Sequence, residues 1–169
     1  YYLDKHPGPL VTNQSTSRMI EDVVDRRGQP IVRAKVGQSH IIQAMLAEEA
    51  EMAGEGSGSV AVRRFQPAFD GFLAMGLILE IMAVTGKKVS ELVQMLPKYH
   101  IVKEKIYCPP SRVHSVVAET KRYFAGSPMC LIDGVRVERA DGWIHVRAST
   151  TEPMIRIISE SKSKDKAQE

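Results

Sequence analysis

The sequence predicts two architectures in succession: an α/β three-layer domain with a mixed, mainly parallel sheet, then a smaller α+β domain with a mostly antiparallel sheet. Three observations carry this reading. Up to about residue 47, β-branched runs alternate with stretches of helical spacing, the order that gives a parallel sheet covered by helices. From Asp70 to Pro97 the pattern is helical with one break at Gly86. Beyond about residue 104, one helical stretch is followed by three strand-like runs, the first two joined by a hairpin signal.

In chain order, Tyr1 lies in what reads as a loop before the strand "PLVTN", a start that suggests a piece of a longer protein. The cap-rich "QSTS" leads into a helix carrying Met19, Ile20, Val23 and Val24, with Gly28 as its stop. "PIVRAKV" reads as a strand. Gly37 opens a second helix with Ile41, Ile42, Met45 and Leu46 on one side. The loop "AGEGSGS", residues 53–59, precedes the strand "VAVRRF". Residues 70 to 84 are apolar on nearly every side, which predicts a helix covered on more than one face, its methionines serving as core filler. Gly86 stops it, Ser90 caps a short helix, and Pro97 ends that one.

A domain boundary is expected at about residues 97–104, dividing the chain into residues 1–100 and 101–169. In the second part "EKIYCPP" reads as a strand and Ser111 as the cap of a helix with Val113, Val116, Val117, Thr120 and Phe124 toward a sheet. "MCLIDGVRVER", "GWIHVRAS" and "MIRIISES" read as strands. Asp141-Gly142 is expected at the centre of a type I′ turn, and "KSKDKAQE" either starts a helix or frays.

Two loops carry chemistry. "GWIHVRASTTEPMIRI" gathers Arg147, Ser149, Thr150, Thr151 and Arg156 between two strands. A guanidinium fork, hydroxyls and turn N–H groups are what a phosphate dianion's many acceptor lone pairs need. In "AGEGSGS" three glycines let a ligand approach the main chain, while Glu55 and Ser57 offer an acceptor and a donor. A carboxylate there suits sugar hydroxyls and would repel phosphate. The plain alternative is a glycine-rich hairpin with an exposed glutamate.

Composition narrows the classes. With 43% hydrophobic and 25% charged residues the chain is a globular protein, not a disordered one. A net charge of +3, with acids and bases interspersed, gives no prompt for nucleic acid. No apolar run is long enough for a membrane span, and no signal peptide is evident. Cys108 and Cys130 lack metal-site spacing and read as reduced thiols of a cytoplasmic protein.

"DGVRVERADGWIHVRASTTEPMIRI" resembles the phosphate-binding C-terminal domain of the α-D-phosphohexomutases, and "AGEGSGS" is similar to the sugar-binding loop of that family's third domain. "FDGFLAMGLILEIMA", "GPLVTNQSTSRMIEDVVDRRG" and "VRAKVG" are also similar to segments of the third domain, so the resemblance covers essentially the whole chain. It implies that residues 1–100 are the third domain and 101–169 the fourth of an enzyme moving phosphate between C1 and C6 of a hexose phosphate through a bisphosphorylated sugar. The family's phosphoserine and its magnesium, held by aspartates, belong to the first and second domains. The fragment is therefore expected to be inactive, with the N-terminal domains and hexose phosphate as partners.

Carried onto this sequence, the resemblance implies that Arg147, Ser149, Thr150 and Thr151 hold the non-reacting phosphate, and that Glu55 and Ser57 read the sugar hydroxyls. Arg156 either supports the phosphate or is a solvated face residue. The sequence departs from the family pattern at Ala148, where proline is usual, and at Thr150, where glycine or asparagine is usual. Gln14 and Gln38 replace a lysine and a histidine of some members, and Phe69 a basic residue; Lys35 and His40 are candidate compensations. The alternatives are a non-catalytic sugar-phosphate binding or regulatory homologue, and an assembly module whose methionine-rich helix meets a second copy of the chain.

Overall fold

The structure is a computed structural model and describes residues 1–26 and 28–168. These form two compact units, Tyr1–Pro97 and from Lys98 onward.

In the first unit, α1 (Tyr2–Lys5), β1 (Leu10–Asn13), α2 (Met19–Asp25), β2 (Ile31–Ala34), α3 (Gln38–Ala47), β3 (Met52–Gly54) and β4 (Val60–Val62) build a three-layer α/β domain. Its sheet has the order β2-β1-β3-β4. β1 runs parallel to β2 and β3, and β4 returns antiparallel to β3. β1 is buried along its whole length, as a central strand covered on both faces must be. One core gathers Val11, Ile41, Met45, Ala53 and Ala61, with Val32 and Phe69 packed against it. The other gathers Leu3, Leu10 and Val24 with Ile20 and Ile31.

Several expectations need correcting here. The segment after Tyr1 is a helical turn, not a loop; Leu3 is buried, and the Tyr2 hydroxyl donates to buried Glu51 at 3.0 Å. Burial, and then the Glu51 carboxylate, push the Tyr2 pKa up to about 12. The first residues of "AGEGSGS" belong to β3, a strand too short for its periodicity to register. Leu46 faces outward and is 51% exposed, so the buried stripe of α3 is Ile41 and Met45.

α4 (Gly71–Thr85) starts where expected: the Asp70 carboxylate accepts the Leu73 N–H at 2.9 Å, and Gly86 closes the helix at φ 67°. Its cover does not match the expectation. No residue of α4 is buried, Phe72, Met75, Leu79 and Val84 are exposed, and Met95 beyond it is exposed too. α5 (Val89–Gln94) begins ahead of Ser90, with the Glu91 carboxylate accepting the Lys88 N–H at 2.7 Å.

The second unit holds β5 (His100–Tyr107), α6 (Pro110–Tyr123), β6 (Met129–Cys130), β7 (Val135–Arg139), β8 (Gly142–Ala148), β9 (Met154–Ser161) and α7 (Lys164–Gln168). The sheet order is β5-β9-β8-β7-β6, antiparallel throughout. "MCLIDGVRVER" is thus two strands, broken at Asp133-Gly134. Pro110 takes the first helical position of α6, where its missing N–H costs nothing, and Ser111 lies inside the first turn. Cys108, Val146 and Ile155 form the core under α6, with Val113, Val116, Ile144 and Ile157 around them. α6 leaves part of that face open as an apolar cleft of about 670 Å³ lined by Ile106, Tyr123, Phe124, Ile155 and Ile157.

The β7–β8 hairpin corrects the turn expectation. Arg139 pairs with Gly142, so the central turn residues are Ala140 and Asp141, and neither has positive φ. Gly142 is needed for another reason: a Cβ there would lie 1.7 Å from the Glu160 carbonyl oxygen of β9. Gly142→Ala is expected to cost about 1–3 kcal/mol of stability by forcing β8 and β9 apart, measured by urea denaturation; wild-type stability would contradict so close an approach.

Candidate functional site

The carboxyl ends of β1, β2 and β3 lie at one edge of the first sheet, because the three strands are parallel. From this edge the chain leaves β1 toward α2 and leaves β3 into the 55–59 hairpin. Such a divergence between neighbouring strands is where open α/β sheets make their ligand crevice. Glu55 sits at this point, half-buried, with Gly56, Ser57 and Gly58 exposed beyond it.

Its carboxylate is held from two sides. Oε1 accepts from the Ser57 hydroxyl at 2.9 Å, and Oε2 accepts from the Asn13 side-chain amide at 2.8 Å. The Gly56 N–H donates to Thr16 Oγ1 at 3.3 Å, and the Ser57 and Ser59 hydroxyls are 3.0 Å apart. Gly58, at φ 92°, gives the hairpin the left-handed step that a side chain would resist.

The loop after β1 is clamped in turn by Arg33 on β2. Its guanidinium donates to the carbonyls of Asn13 at 2.6 Å and Thr16 at 3.0 Å, and grips Glu21 of α2 through two bonds of 2.6 and 2.7 Å. Gln14 is buried, with its amide donating to the Arg33 carbonyl. Lys35 and His40 are exposed, and neither takes part in the bonds that hold Glu55. Gln38 is exposed at the start of α3. Phe69 packs against the core of the sheet, an apolar position.

In the second unit the 149–153 loop joins β8 to β9. Ser149 N–H donates to the Met154 carbonyl at 2.8 Å, closing the loop, while Thr150 and Thr151 are exposed. Arg147 is buried near the end of β8, its Nε donating to Asp133 Oδ2 at 3.1 Å. The bond engages Nε and not the terminal amino groups of the guanidinium. Arg156 lies directly across the ladder from Arg147, and Lys105 across from Arg156, so three cations follow one row of the sheet. Glu152 balances that row, accepting from Arg156 at 2.9 Å with Lys105 at 3.9 Å.

Asp133 also fixes His145. The imidazole Nε2 lies 2.5 Å from the Asp133 carbonyl oxygen, which can only accept, so Nε2 carries the proton. Burial is the main cause holding the His145 pKa below its ordinary value of 6.5. Gly134 makes this turn possible: its φ is 76°, and a Cβ there would meet the Val146 carbonyl at 2.3 Å. Asn13, Thr16, Asp133 and Lys105 escaped sequence reasoning. The Asp133-Gly134 turn dipeptide, and an asparagine closing a strand, were the available signals.

Residues 1–99 match the family described as phosphoglucomutase/phosphomannomutase, alpha/beta/alpha domain III, and residues 87–169 match phosphoglucomutase/phosphomannomutase, C-terminal domain. The chain belongs to the phosphoglucomutase/phosphomannomutase family. It is 40% identical over 167 residues to a phosphoglucomutase/phosphomannomutase of Thermococcus kodakarensis, covering 96% of this chain and 36% of that protein. A probable phosphoglucosamine mutase of Methanopyrus kandleri is 35% identical over 168 residues, 98% of this chain and 37% of the relative. The chain thus spans little more than a third of the length of these relatives.

Among solved structures, a phosphoglucomutase/phosphomannomutase family protein of Burkholderia thailandensis superposes with a TM-score of 0.83 at 25% identity, over 99% of this chain and 36% of that one. An Aspergillus fumigatus N-acetylphosphoglucosamine mutase, solved with GlcNAc-6P and magnesium, shares the fold at a TM-score of 0.61 and 14% identity, over 95% of this chain and 39% of that one. Family membership agrees with the architecture of both units, a mainly parallel sheet with helices and then an antiparallel one. Among the described residues no group of three or more His, Cys, Asp or Glu side chains gathers to hold a metal, and no helix is long and apolar enough to cross a membrane.

The His145 environment sets a pH dependence. Its native pKa lies below the unfolded value, so the unfolded chain takes up a proton first as pH falls. This contribution to stability is full above about pH 6.5 and is lost as pH drops toward the native pKa. Replacing His145 with Gln is expected to flatten the loss, read as melting temperature against pH; an unchanged profile would assign it to other groups.

Proposed function

We propose that this chain is the substrate-binding part of an intramolecular phosphotransferase that interconverts hexose 1-phosphate and hexose 6-phosphate through a bisphosphorylated sugar. The family assignment supports a sugar phosphate as the ligand class. The observation that carries the reading is the Glu55 carboxylate, oriented by Ser57 and Asn13 at the carboxyl edge of the parallel strands. Each of its oxygens keeps a lone-pair site for a hydroxyl donor.

In this reading Glu55 and Ser57 recognise ring hydroxyls, while Arg147, Ser149, Thr150 and Thr151 grip the phosphate that is not reacting. Arg156 and Lys105 supply charge along the same row as Arg147. Binding energy taken from a remote phosphate fixes the substrate, and the hydroxyl-reading loop orients it for chemistry performed elsewhere. Transfer itself would need a phosphoserine and a magnesium ion that neutralises developing phosphoryl charge, both supplied by domains outside this chain. The described residues offer no acidic cluster that fits such an ion. The chain alone is expected to bind without turning over. A full-length parent that binds the same ligands without turnover would instead be a non-catalytic homologue.

An amide-resolved NMR titration with glucose 6-phosphate, mannose 6-phosphate, glucosamine 6-phosphate and inorganic phosphate tests the assignment. Saturable shifts are expected in both the Gly54–Gly58 and Arg147–Thr151 loops, stronger for one sugar than the rest. Arg147→Ala is expected to weaken every phosphorylated ligand roughly ten- to a hundredfold, the worth of a charge-assisted hydrogen bond or two. Arg147→Lys, which keeps the charge and loses the planar fork, should fall between. Equal affinity for all ligands with shifts only at the second loop would reject the sugar-reading role, and silence at both loops would reject the reading for this chain.

A further inference from the structure

Glu55 is oriented by a residue 42 positions away in sequence, and the bonding around that residue is one-directional. Asn13 is the last residue of β1 and is only 4% exposed. Its Oδ1 accepts the Ser15 N–H at 2.9 Å and faces the Thr16 hydroxyl at 3.0 Å. A backbone N–H can only donate, so this end of the amide must be the oxygen, and the NH2 end is left to face Glu55. The direction of the Asn13–Glu55 bond therefore follows from the chain itself. Arg33, holding the Asn13 and Thr16 carbonyls, fixes the backbone that carries this amide.

We infer that Asn13 is a positioning residue: it fixes the plane of the Glu55 carboxylate through one donated hydrogen bond, and the hydroxyl selectivity of the site depends on that bond. The inference rests on the sugar-reading role proposed for Glu55. Without the Asn13 donor, Ser57 alone holds the carboxylate, from an exposed hydroxyl two residues along the same loop. A carboxylate held at one oxygen rotates about its terminal torsion, which is broad and soft, and its lone pairs no longer address one hydroxyl arrangement. Thr16 supports the same loop through Gly56 but does not touch the carboxylate.

Asn13→Asp separates positioning from plain structural support. Aspartate still accepts from the Ser15 N–H and the Thr16 hydroxyl, so the turn is kept, but it sets an acceptor against Glu55 where a donor stood. The variant is expected to fold with a lowered melting temperature, because two carboxylates then face each other at a buried position, and to bind the preferred hexose 6-phosphate about tenfold more weakly, as loss of one charge-assisted bond implies. Inorganic phosphate affinity should not change. Asn13→Ala should lose sugar affinity too, but less than Asn13→Asp, because it removes the donor without adding repulsion. Sugar affinity kept in Asn13→Asp and lost in Asn13→Ala would overturn the inference, since turn support alone would then explain the residue.

Glu55→Gln, assayed in parallel, separates the two layers. Weakened sugar binding in Glu55→Gln with wild-type binding in Asn13→Asp overturns the positioning role and leaves the sugar-reading role standing. Wild-type sugar binding in Glu55→Gln overturns both. A ligand-free readout guards against a variant that fails to fold: in the wild-type chain the Asn13 side-chain amide resonances should shift with the ionisation of a carboxylate, and Glu55→Gln should abolish that shift. Asn13 resonances indifferent to pH in the wild type would remove the contact on which the inference stands.

Discussion

The pairing of β1 with parallel neighbours on both edges is the constraint on which the first unit depends. A strand so placed is closed off from water by sheet and helices, and β1 is buried from Leu10 to Asn13, the Thr12 hydroxyl included. The Thr12 hydroxyl inside the strand finds no hydrogen-bond partner among the described residues, whereas Asn13, at the end where the backbone leaves the sheet, is bonded at both ends of its amide. There Asn13 meets a hairpin brought alongside by β3, and a polar cluster forms between segments distant in sequence. The guanidinium of Arg33 ties this cluster to β2 and α2, so three successive elements fix one carboxylate.

The second unit manages polarity differently, by strand alternation. Along β8, Ile144, Val146 and Ala148 join the apolar core beneath α6. Trp143, His145 and Arg147 take the other face, where all three are nevertheless buried. Each polar group there has a defined partner: Trp143 donates to Glu160, His145 to the Asp133 carbonyl, and Arg147 to the Asp133 carboxylate. Arg136 lies 4.5 Å over the Trp143 ring and pairs with Glu138. Buried charges of this kind add little net stability against an apolar alternative, but removing one partner leaves the other unpaired at high cost. The result is a buried side chain, Arg147, fixed at its Nε by the Asp133 carboxylate.

Much of this was legible in the sequence, and the failures share a cause. The strand-helix alternation after α1 and the glycine stop at Gly86 are local signals, decided by a few neighbouring residues, and the structure has both. Asn13 and Glu55 are 42 residues apart, and Arg147 and Asp133 are 14 apart, so their partnerships arise only when strands find their register. Asp141-Gly142 reads as the centre of a type I′ turn because such a turn needs positive φ, whereas the approach of β9 is what requires Gly142 here. α4 was expected to be covered because its composition is apolar on every side. Composition states which surface favours burial, not what covers it, and Phe72 and Leu79 find no cover among the described residues.

The alternation of β8 sets an asymmetry between kinds of genetic change. A substitution at Ala140 alters one side chain of a two-residue turn and leaves the pairing on either side in register, whereas one at Asp141 also removes the carboxylate that pairs with Lys166 and accepts from Ser161. A single inserted or deleted codon at the same place shifts β8 by one residue against β7, and every side chain on it changes face. Trp143, His145 and Arg147 would then be driven under α6, and Ile144 and Val146 would meet Asp133 and Glu160 in their stead. Natural variation in this hairpin should therefore be rich in replacements and nearly devoid of single-residue length changes, with length varying instead in the 149–153 loop, where the strand faces are already set.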